Sequence, residues 1–280
     1  MGLFWRELIA GIIIFTSSLI AAQAPEQHCS LKFQEAFEEA VKLKKTCQEA
    51  RYRDCCQVAK ASLFDYPIKS GVFYINNACG HESPFIQDIS PMQARCNMES
   101  GDGGWTVLVK RTPDVEQREL FNRTWVEYEN GFGNLSGEFW YGLKNMHCLT
   151  SREPMEVEVE VSKTDGTKVV LPYGNFRVNG LSTSYTLHVS DKQHEEAYDY
   201  LGYHNGMKFT TFDNDNDSGT SSNCATSHGK VGWWFKNCDL TLLTHMPHPE
   251  LHTTSPVTYH YAELRVRPKL CNANLPRTCD

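Results

Sequence analysis

"HNGMKFTTFDNDND" occupies residues 204–217, and "NCATSHGKVGWWFKNC" follows at residues 223–238. In the first segment Asp213, Asp215 and Asp217 alternate with asparagines, so a turn would bring several carboxylate oxygens together. Carboxylates that close repel each other unless a cation or water separates them. A hard cation with oxygen ligands, calcium above all, would offset the repulsion.

The spacing of these residues rules out one familiar class of calcium site. An EF-hand loop has glycine at its sixth position and glutamate at its twelfth. Counting from Asp213, those positions hold Ser218 and Cys224. Any calcium site is therefore of another type, and on spacing alone calcium binding and a solvated turn both remain open.

Residues 1–24 are predicted to be a secretory signal peptide. Arg6 precedes the apolar run "LIAGIIIFTSSLI", and small residues follow in "AAQA". The alternative is a membrane anchor, but the uninterrupted apolar stretch is short for a bilayer that needs about 20 residues. No later segment is apolar enough to span a membrane. We therefore expect a secreted, extracellular protein that is not membrane-embedded.

Cysteine content and charge agree with secretion. The chain has eleven cysteines, which are typical of an oxidising compartment, and a net charge of -7, which argues against nucleic acid as a partner. In a secreted chain Asn122-Arg-Thr and Asn134-Leu-Ser are candidate glycosylation sites. A third match, at Asn216, lies inside the acidic segment and is the weaker candidate.

Residues 25–54 are predicted to form a short helical stalk. Apolar side chains recur at roughly helical spacing from Leu31 to Arg53, and Ser30 is placed to cap the helix. A continuous helix would separate Cys29 and Cys47 by about 27 Å, far beyond the reach of a disulfide. Bridges between chains would then produce a disulfide-linked homo-oligomer; the alternative is a helix that packs on its own domain.

From Cys55 the pattern changes to short β-branched and aromatic segments between turn residues. "MEVEVEV", residues 155–161, alternates strictly, which predicts a strand with a solvated glutamate face rather than a pair of catalytic carboxylates. Short helices are expected between the strands. The fold class is therefore α+β, with an antiparallel sheet in one domain at residues 55–270 and a tail at 271–280.

The same sequence offers little support for an enzyme. It has no G-x-S-x-G motif, and its cysteines are better used in disulfides. His245, His248 and His252 lie in a proline-punctuated loop, and His260 follows them. The general-base glutamate of the metalloprotease pattern is missing, so we interpret all four as surface histidines rather than zinc ligands.

The opening stretch also carries a family resemblance. With "GVFYI", "GGWTVLVKR", "GFGNLSGEFWYGLKNMH" and the closing "YAELRVRP", it resembles the fibrinogen C-terminal domain shared by fibrinogen chains, ficolins, tachylectins, tenascins and angiopoietins. The resemblance runs from about Cys55 to Pro268. It implies a small N-terminal subdomain, a central antiparallel sheet with short helices, and a loop-rich C-terminal subdomain that carries calcium and ligand sites.

The resemblance also implies a calcium site in the acidic segment. The family's carboxylate ligands fall on Asp215 and Asp217, and its two backbone carbonyl ligands fall near Gly219 and Ser221. Six residues separate Asp217 from Cys224, where family members usually have five. We therefore expect Ca²⁺ as the cofactor, with the role of fixing the shape of the loop.

Disulfide pairings follow from the resemblance in part. Cys224 and Cys238 match the family's loop disulfide. One of Cys55 and Cys56 should pair with Cys96, and we take Cys56 as the partner. The remaining pairs cannot be derived from sequence, and our guesses are Cys79 with Cys148 and Cys271 with Cys279.

A ligand pocket is implied beside the loop disulfide. In ficolin-like lectins the peptide bond that enters the second cysteine is cis and helps to shape a pocket for acetyl groups; here this bond joins Asn237 to Cys238. The candidate pocket residues are Trp233, Trp234, Asn237, Cys238, Asp239, Tyr259 and Tyr261. The alternative for the two tryptophans is packing in the core.

This chain departs from the lectin pattern at the pocket. Asp239 stands where lectins have histidine, and their "NLNG" stretch is missing. The added negative charge should disfavour acetylated anionic ligands and favour a cationic one. The resemblance implies a calcium-stabilised innate-immune lectin that binds acetylated or related glycans; the alternative is a protein-binding module, as a receptor ligand or matrix component.

Overall fold

The computed structural model describes residues 52–62, 68–76, 91–220, 222–252 and 256–271. The chain divides into two compact units, Met1–Gln48 and Glu49–Asp280, and every described residue belongs to the second. The predicted signal peptide, most of the stalk with Cys29 and Cys47, and nearly all of the tail lie outside the described residues. Of the stalk, residues 52–54 are described, and they form a bend rather than a helix.

Four short α-helices occur in the described part of the chain. Thr124 shows why one of them begins where it does, since its N–H and hydroxyl both donate to the carboxylate of Glu127, at 2.8 and 2.7 Å. The helices are α1 (Cys55–Ser62), α2 (Trp125–Asn130), α3 (Leu143–Ser151) and α4 (Cys224–Ser227), with 3₁₀ turns at Leu181–Thr183 and Gly202–His204.

The strands form two antiparallel sheets. The strands are β1 (Gly71–Asn76), β2 (Pro91–Asn97), β3 (Trp105–Arg111), β4 (Phe132–Gly133), β5 (Phe139–Trp140), β6 (Met155–Ser162), β7 (Lys168–Val178), β8 (Leu187–Lys192), β9 (Thr241–Leu242), β10 (Glu250–His252), β11 (Pro256–Thr258) and β12 (Tyr261–Pro268). The large sheet has the order β1-β2-β3-β12-β6-β7-β8, with β5 on β3 and β4 on β5, and the small sheet has the order β11-β10-β9. The expected α+β class with an antiparallel sheet is confirmed.

Strand β6 presents its half-buried glutamates to arginines. The β6–β12 register places Glu158 opposite Arg265, and the fully buried guanidinium of Arg265 lies 2.7 Å from Glu158 and 2.8 Å from Glu160. The expected solvated face is therefore only partly solvated, because these glutamates are half-buried in ion pairs. Alternation showed which residues share a face, but the cations that cover this face come from a strand about a hundred residues later in the chain.

Two disulfides differ from the predicted pairings. Cys55, not Cys56, pairs with Cys96, and Cys56 pairs with Cys271, so the predicted Cys271–Cys279 pair is also wrong. Neighbouring cysteines in α1 point in different directions, and sequence alone does not tell which faces β2. Cys148 is disulfide-bonded, while Cys79 lies outside the described residues, so their pairing stays a prediction.

An aromatic cluster joins the large sheet to the loop-built region that follows β8. Trp140 on β5 contacts Phe209, Trp233 and Trp234, with ring centroids 5.4 to 6.4 Å apart. All four side chains are buried. Large aromatic rings bury much apolar area in offset or edge contacts, so this cluster fixes the position of the loops around residues 204–238.

Candidate functional site

The three aspartates of the acidic segment have different surroundings. Asp213 accepts hydrogen bonds from the N–H of Trp125 at 3.0 Å and from the hydroxyl of Thr211 at 2.7 Å. Asp217 accepts from the N–H groups of Gly219 at 2.8 Å and Cys224 at 2.7 Å. These two carboxylates therefore shape the loop through hydrogen bonds of their own.

Asp215 is the aspartate with the most unused acceptor capacity. Its side chain is exposed, and it accepts a long contact of 3.3 Å from the N–H of Asp217. The partial loss of solvent around its carboxylate raises the pKa of Asp215 from its usual value, and the neighbouring charge of Asp217 adds to the increase. A cation bound between the two carboxylates would oppose both effects.

The oxygen atoms of this segment are of the kind that bind a hard cation. Two carboxylates and nearby backbone carbonyls are the oxygen ligands that calcium prefers. Gly219 lies on the loop beside Asp217, whereas Ser221 lies outside the described residues. Among the described residues no three side chains of His, Cys, Asp or Glu converge to hold a metal; the predicted site uses two carboxylates with carbonyls, and calcium stays a prediction.

The loop disulfide is confirmed. Cys224 and Cys238 are bonded, with their Cα atoms 5.4 Å apart. Asn223 caps α4 by accepting a hydrogen bond from the N–H of Thr226 at 2.9 Å. The bridge therefore begins on a capped helical turn and ends beside the exposed Asn237.

The tryptophans predicted to line the ligand pocket lie in the core. Trp233 and Trp234 are fully buried, and Tyr259 is 6% exposed. The indole N–H of Trp234 donates to the carbonyl of Tyr185 at 2.8 Å. Tyr261 lies on β12, where its hydroxyl donates to Glu263 at 2.8 Å. These aromatic side chains therefore pack inside the domain and do not line an open ligand pocket.

The backbone at the pocket also differs from the lectin expectation. The Asn237–Cys238 bond is trans, and Met246–Pro247 has the one cis bond found within the described ranges. The surface beside the Asn237–Cys238 bond consists of other groups. The hydroxyl of the half-buried Tyr203 donates to the carbonyl of Asn237 at 3.3 Å, and the Lys236 ammonium lies 5.0 Å from the centre of the Tyr203 ring.

Asp239 is enclosed by histidines instead of facing a ligand. Its side chain is 1% exposed and lies 2.9 Å from Nδ1 of His252 and 3.5 Å from Nε2 of His228. Although burial alone would raise the pKa of Asp239, its contact with His252 lowers it. The expected attraction of a cationic ligand to Asp239 is therefore not supported, because the cationic partner is already supplied by the protein.

His252 bridges two acids and is strongly basic. Its other ring nitrogen lies 2.8 Å from Glu250. The hydrogen bond to Asp239 raises the pKa of His252 to about 9 against the opposing effect of burial, and Glu250 raises it further. The cluster ties the segment after the loop disulfide to strand β10.

We expect the free energy of unfolding to fall as the pH rises from about 6.5 to about 9. The His252 contribution is fully present below its unfolded pKa near 6.5 and is lost as the pH rises through the folded value. Its size should be about 1–2 kcal/mol, since solvent around the ring screens part of the interaction. Urea unfolding of wild type and His252→Asn at three pH values tests this. Parallel pH curves for the two proteins would contradict it.

His204, which the sequence did not single out, fixes the same region from inside. Its Nδ1 lies 2.7 Å from the carbonyl oxygen of Trp234, and its Nε2 accepts the N–H of Thr241 at 3.3 Å. Burial lowers the pKa of His204 to about 4, so the ring is neutral at physiological pH. A neutral histidine can donate and accept at once, and it therefore links the segments on both sides of Cys238.

Arg111, which the sequence analysis also missed, joins the end of β3 to the loop at residues 243–247. Its fully buried guanidinium lies 3.2 Å from Glu138 and donates to the carbonyls of Leu243, His245 and Pro247 at 3.0, 2.8 and 3.0 Å. The arginine ends β3, and the three carbonyls lie about 130 residues later. No local pattern in the sequence could reveal this contact.

The predicted glycosylation sites differ in accessibility. Asn122 and Asn134 are exposed, which is compatible with modification. The Asn216 amide donates to the carbonyl of Phe209 at 3.0 Å and to the side chain of Asn214 at 3.1 Å. Within the described ranges, no helix has the length and apolar character needed to cross a bilayer.

Comparisons with known proteins identify the family. Residues 77–249 match the family model described as the C-terminal globular domain of fibrinogen beta and gamma chains. Fibrinogen-like protein A of Apostichopus parvimensis is 38% identical over 193 residues, covering 68% of this chain and 63% of the relative. Angiopoietin-related protein 2 of Homo sapiens is 36% identical over 165 residues, covering 57% of this chain and 32% of the relative. The chain thus spans less than two thirds of the length of either relative.

A solved structure agrees. The fibrinogen-like globe domain of human ANGPTL2 superimposes with a TM-score of 0.63 at 28% identity, covering 78% of this chain and 99% of that domain. The expected fold is therefore confirmed, and the chain belongs to the family of proteins that carry the fibrinogen C-terminal globular domain.

Proposed function

We propose that this chain is a secreted, extracellular binding module that recognises a partner protein through the loop-built region around the Cys224–Cys238 disulfide. Family membership supports a binding role rather than catalysis. The observation that carries the choice of a protein partner is the burial of Trp233, Trp234 and Asp239, because a sugar cannot stack on enclosed rings. The exposed Lys236 and Asn237 form the accessible surface instead, together with the half-buried Tyr203.

The composition of this surface suits a protein interface. Tyrosine is enriched at the centres of interfaces, where its rigid ring buries area at low entropic cost. Lys236 adds a positive charge beside that ring. A secreted ligand of a receptor or a matrix component would present such a surface on a scaffold stiffened by the disulfide and by His204.

Binding of labelled protein to a panel of extracellular receptor domains tests the proposal. Tyr203→Ala with Lys236→Glu should weaken a captured interaction at least tenfold, which corresponds to about 1.4 kcal/mol. Leu181→Ala, a change at an exposed apolar side chain outside this surface, serves as the matched control. Equal loss in both variants would contradict the assigned surface.

The second candidate is the innate-immune lectin for acetylated or related glycans. It is favoured by the exposed Asn237 beside the aromatic ring of Tyr203, a pairing that could accept a sugar. Retention on N-acetylated resin in calcium, with elution by free acetylated sugar, would support the lectin and count against the protein-binding proposal. Absence of retention in a calcium-loaded protein would leave the first candidate.

Calcium is proposed to stabilise the acidic loop, and two variants should respond differently. Asp215→Ala should lower the melting temperature only in calcium, because the stabilisation by bound ion, about 2.7 kcal/mol at calcium a hundredfold above the dissociation constant, is lost. Asp217→Ala should lower it with and without calcium, because its carboxylate also accepts two backbone N–H groups. Asp102→Ala, at an exposed position, is the control for charge. If calcium raised the melting temperature equally in wild type and Asp215→Ala, that result would contradict the proposed calcium site.

We also propose a disulfide-linked homo-oligomer through Cys29 and Cys47. The support is the sequence spacing alone, as both cysteines lie outside the described residues. Linked modules bind multivalent targets more tightly without new contacts. Non-reducing electrophoresis should show a ladder that collapses in the Cys29→Ser/Cys47→Ser variant, whereas a single monomer band for wild type would remove this part of the proposal.

A further inference from the structure

A polar cavity of about 500 Å³ has a lining that, apart from Asn205, lies outside the loops around residues 204–238. It is formed by the end of α3, the turn into β6, neighbouring parts of β7 and β8, and Asn205; we call it the β7–β8 groove. Its lining includes none of the acidic-loop residues. Its volume falls within the range of small-molecule sites.

The sheet register explains why polar groups converge in this groove. Asn175 pairs with Ser190 and Arg177 pairs with His188, and all four side chains are exposed. Because residues two apart share a face and cross-strand pairs are neighbours, the four side chains form one polar patch. The Asn175 amide donates to the Ser190 hydroxyl at 3.1 Å, which orders the patch.

The groove carries positive charge in a chain whose net charge is -7. Arg152 and Arg177 line it, and the Lys269 ammonium reaches its rim by donating to Asn175 at 2.6 Å. One carboxylate, Glu153, also lines the groove, and it lies 3.9 Å from the guanidinium of Arg53. Cations therefore outnumber acids here, and the acid already has a partner.

Several donors in the groove are unused. Among the described residues Arg177 makes no ion pair and no side-chain hydrogen bond. Arg152, in contrast, donates to the carbonyls of Arg53 and Asn76 at 2.9 and 3.1 Å, so it adds charge to the groove rather than a free donor. Asn205 uses its carbonyl oxygen to accept the N–H of Val189 at 3.0 Å, which leaves its amide hydrogens available. Buried or converging donors without acceptors are the condition in which an oxygen-rich ligand binds.

We propose that the β7–β8 groove binds a small hydroxylated carboxylate, of the size of one uronic acid unit. Arg177 receives the carboxylate, because the planar guanidinium matches its two oxygens. Ser190, Asn175 and Asn205 receive hydroxyl groups. A monoanion is favoured over a highly charged ligand because Glu153 lies in the same lining. This site is independent of calcium and of the loop-built surface.

Ligand-observed NMR on the full secreted protein tests this proposal with D-glucuronic acid as the probe. We expect saturable binding with a dissociation constant on the order of 1 mM, and binding of neutral D-glucose at least tenfold weaker. Arg177→Gln should weaken glucuronic acid binding at least tenfold at an unchanged melting temperature. Ser190→Ala should weaken it by a smaller factor.

Two controls separate this site from the proposed function. Lys69→Gln makes the same charge change at an exposed position outside the groove and should bind like wild type. Chelation of calcium should leave glucuronic acid binding unchanged even if partner binding is lost. Absence of saturation, equal binding of glucose, tighter binding of inorganic sulfate than of glucuronic acid, or an Arg177→Gln protein that binds normally would each overturn the assignment.

Discussion

Replacing Arg111 with methionine is expected to lower the free energy of unfolding by about 3–5 kcal/mol. The guanidinium is fully buried and joins β3 to the carbonyls of Leu243, His245 and Pro247. Methionine fills a similar volume but leaves the buried Glu138 carboxylate and the buried Leu243 carbonyl without this donor, together with the partly buried carbonyls of His245 and Pro247, and each unpaired buried group costs free energy. Urea unfolding measures the loss.

Two further variants make the Arg111 prediction specific. Arg111→Lys should recover part of the stability, because an ammonium supplies one charge but cannot span the same carbonyls. Arg118→Met removes a second cation from Glu138, but the Arg118 side chain is 28% exposed, so the loss should be about 1 kcal/mol. If Arg111→Met cost no more than Arg118→Met, the buried arginine would not hold the loop. Hydrogen exchange at residues 243–247 gives a second, local measure.

The second large effect is expected for the Cys56–Cys271 disulfide. Its removal in Cys56→Ala/Cys271→Ala should cost about 5 kcal/mol on the chain-entropy model, because the bond joins residues 215 apart in sequence. Removal of Cys224–Cys238, which spans 14 residues, should cost about 3 kcal/mol. Urea unfolding of the two double variants under non-reducing conditions tests which disulfide contributes more to the free energy of unfolding.

Peptide mapping without reduction adds an independent check on the pairing. A fragment that joins the peptides of Cys56 and Cys271 is expected. A smaller stability loss for the long-range pair than for the short-range pair would contradict the entropic argument. Gly104 adds a structural reason for the placement of this bond: a Cβ there would lie 3.0 Å from Sγ of Cys271 with φ at +75°, so the glycine leaves room for the bridge.

Much of the fold was accessible from local pattern. Strict alternation marked residues 155–161 as a strand, observed as Met155–Ser162, and the segment "YAELRVRP" is β12. The α+β class followed because period-two segments between turn residues favour antiparallel pairing. The pairing of β12 between β3 and β6 did not follow, because it joins residues far apart in the chain.

The candidate site was predicted less completely than the fold. The Cys224–Cys238 bond was expected from the resemblance and is confirmed. The tryptophans beside it are core residues, because sequence shows that a side chain is aromatic but not which way the backbone turns it. Asp239 looked like an exposed charge, and its neutralisation depends on His252 from strand β10.

The sequence by itself determined the family, the alternating strands and the oxygen-rich acidic loop. These depend on composition and on neighbours along the chain. Only the tertiary structure decided which cysteine of α1 meets Cys96, that β6 glutamates pair with Arg265, and that Arg111 supports the loop at 243–247. Each of these is a contact between distant segments, and the energy of a buried charge or disulfide depends on which groups folding brings beside it.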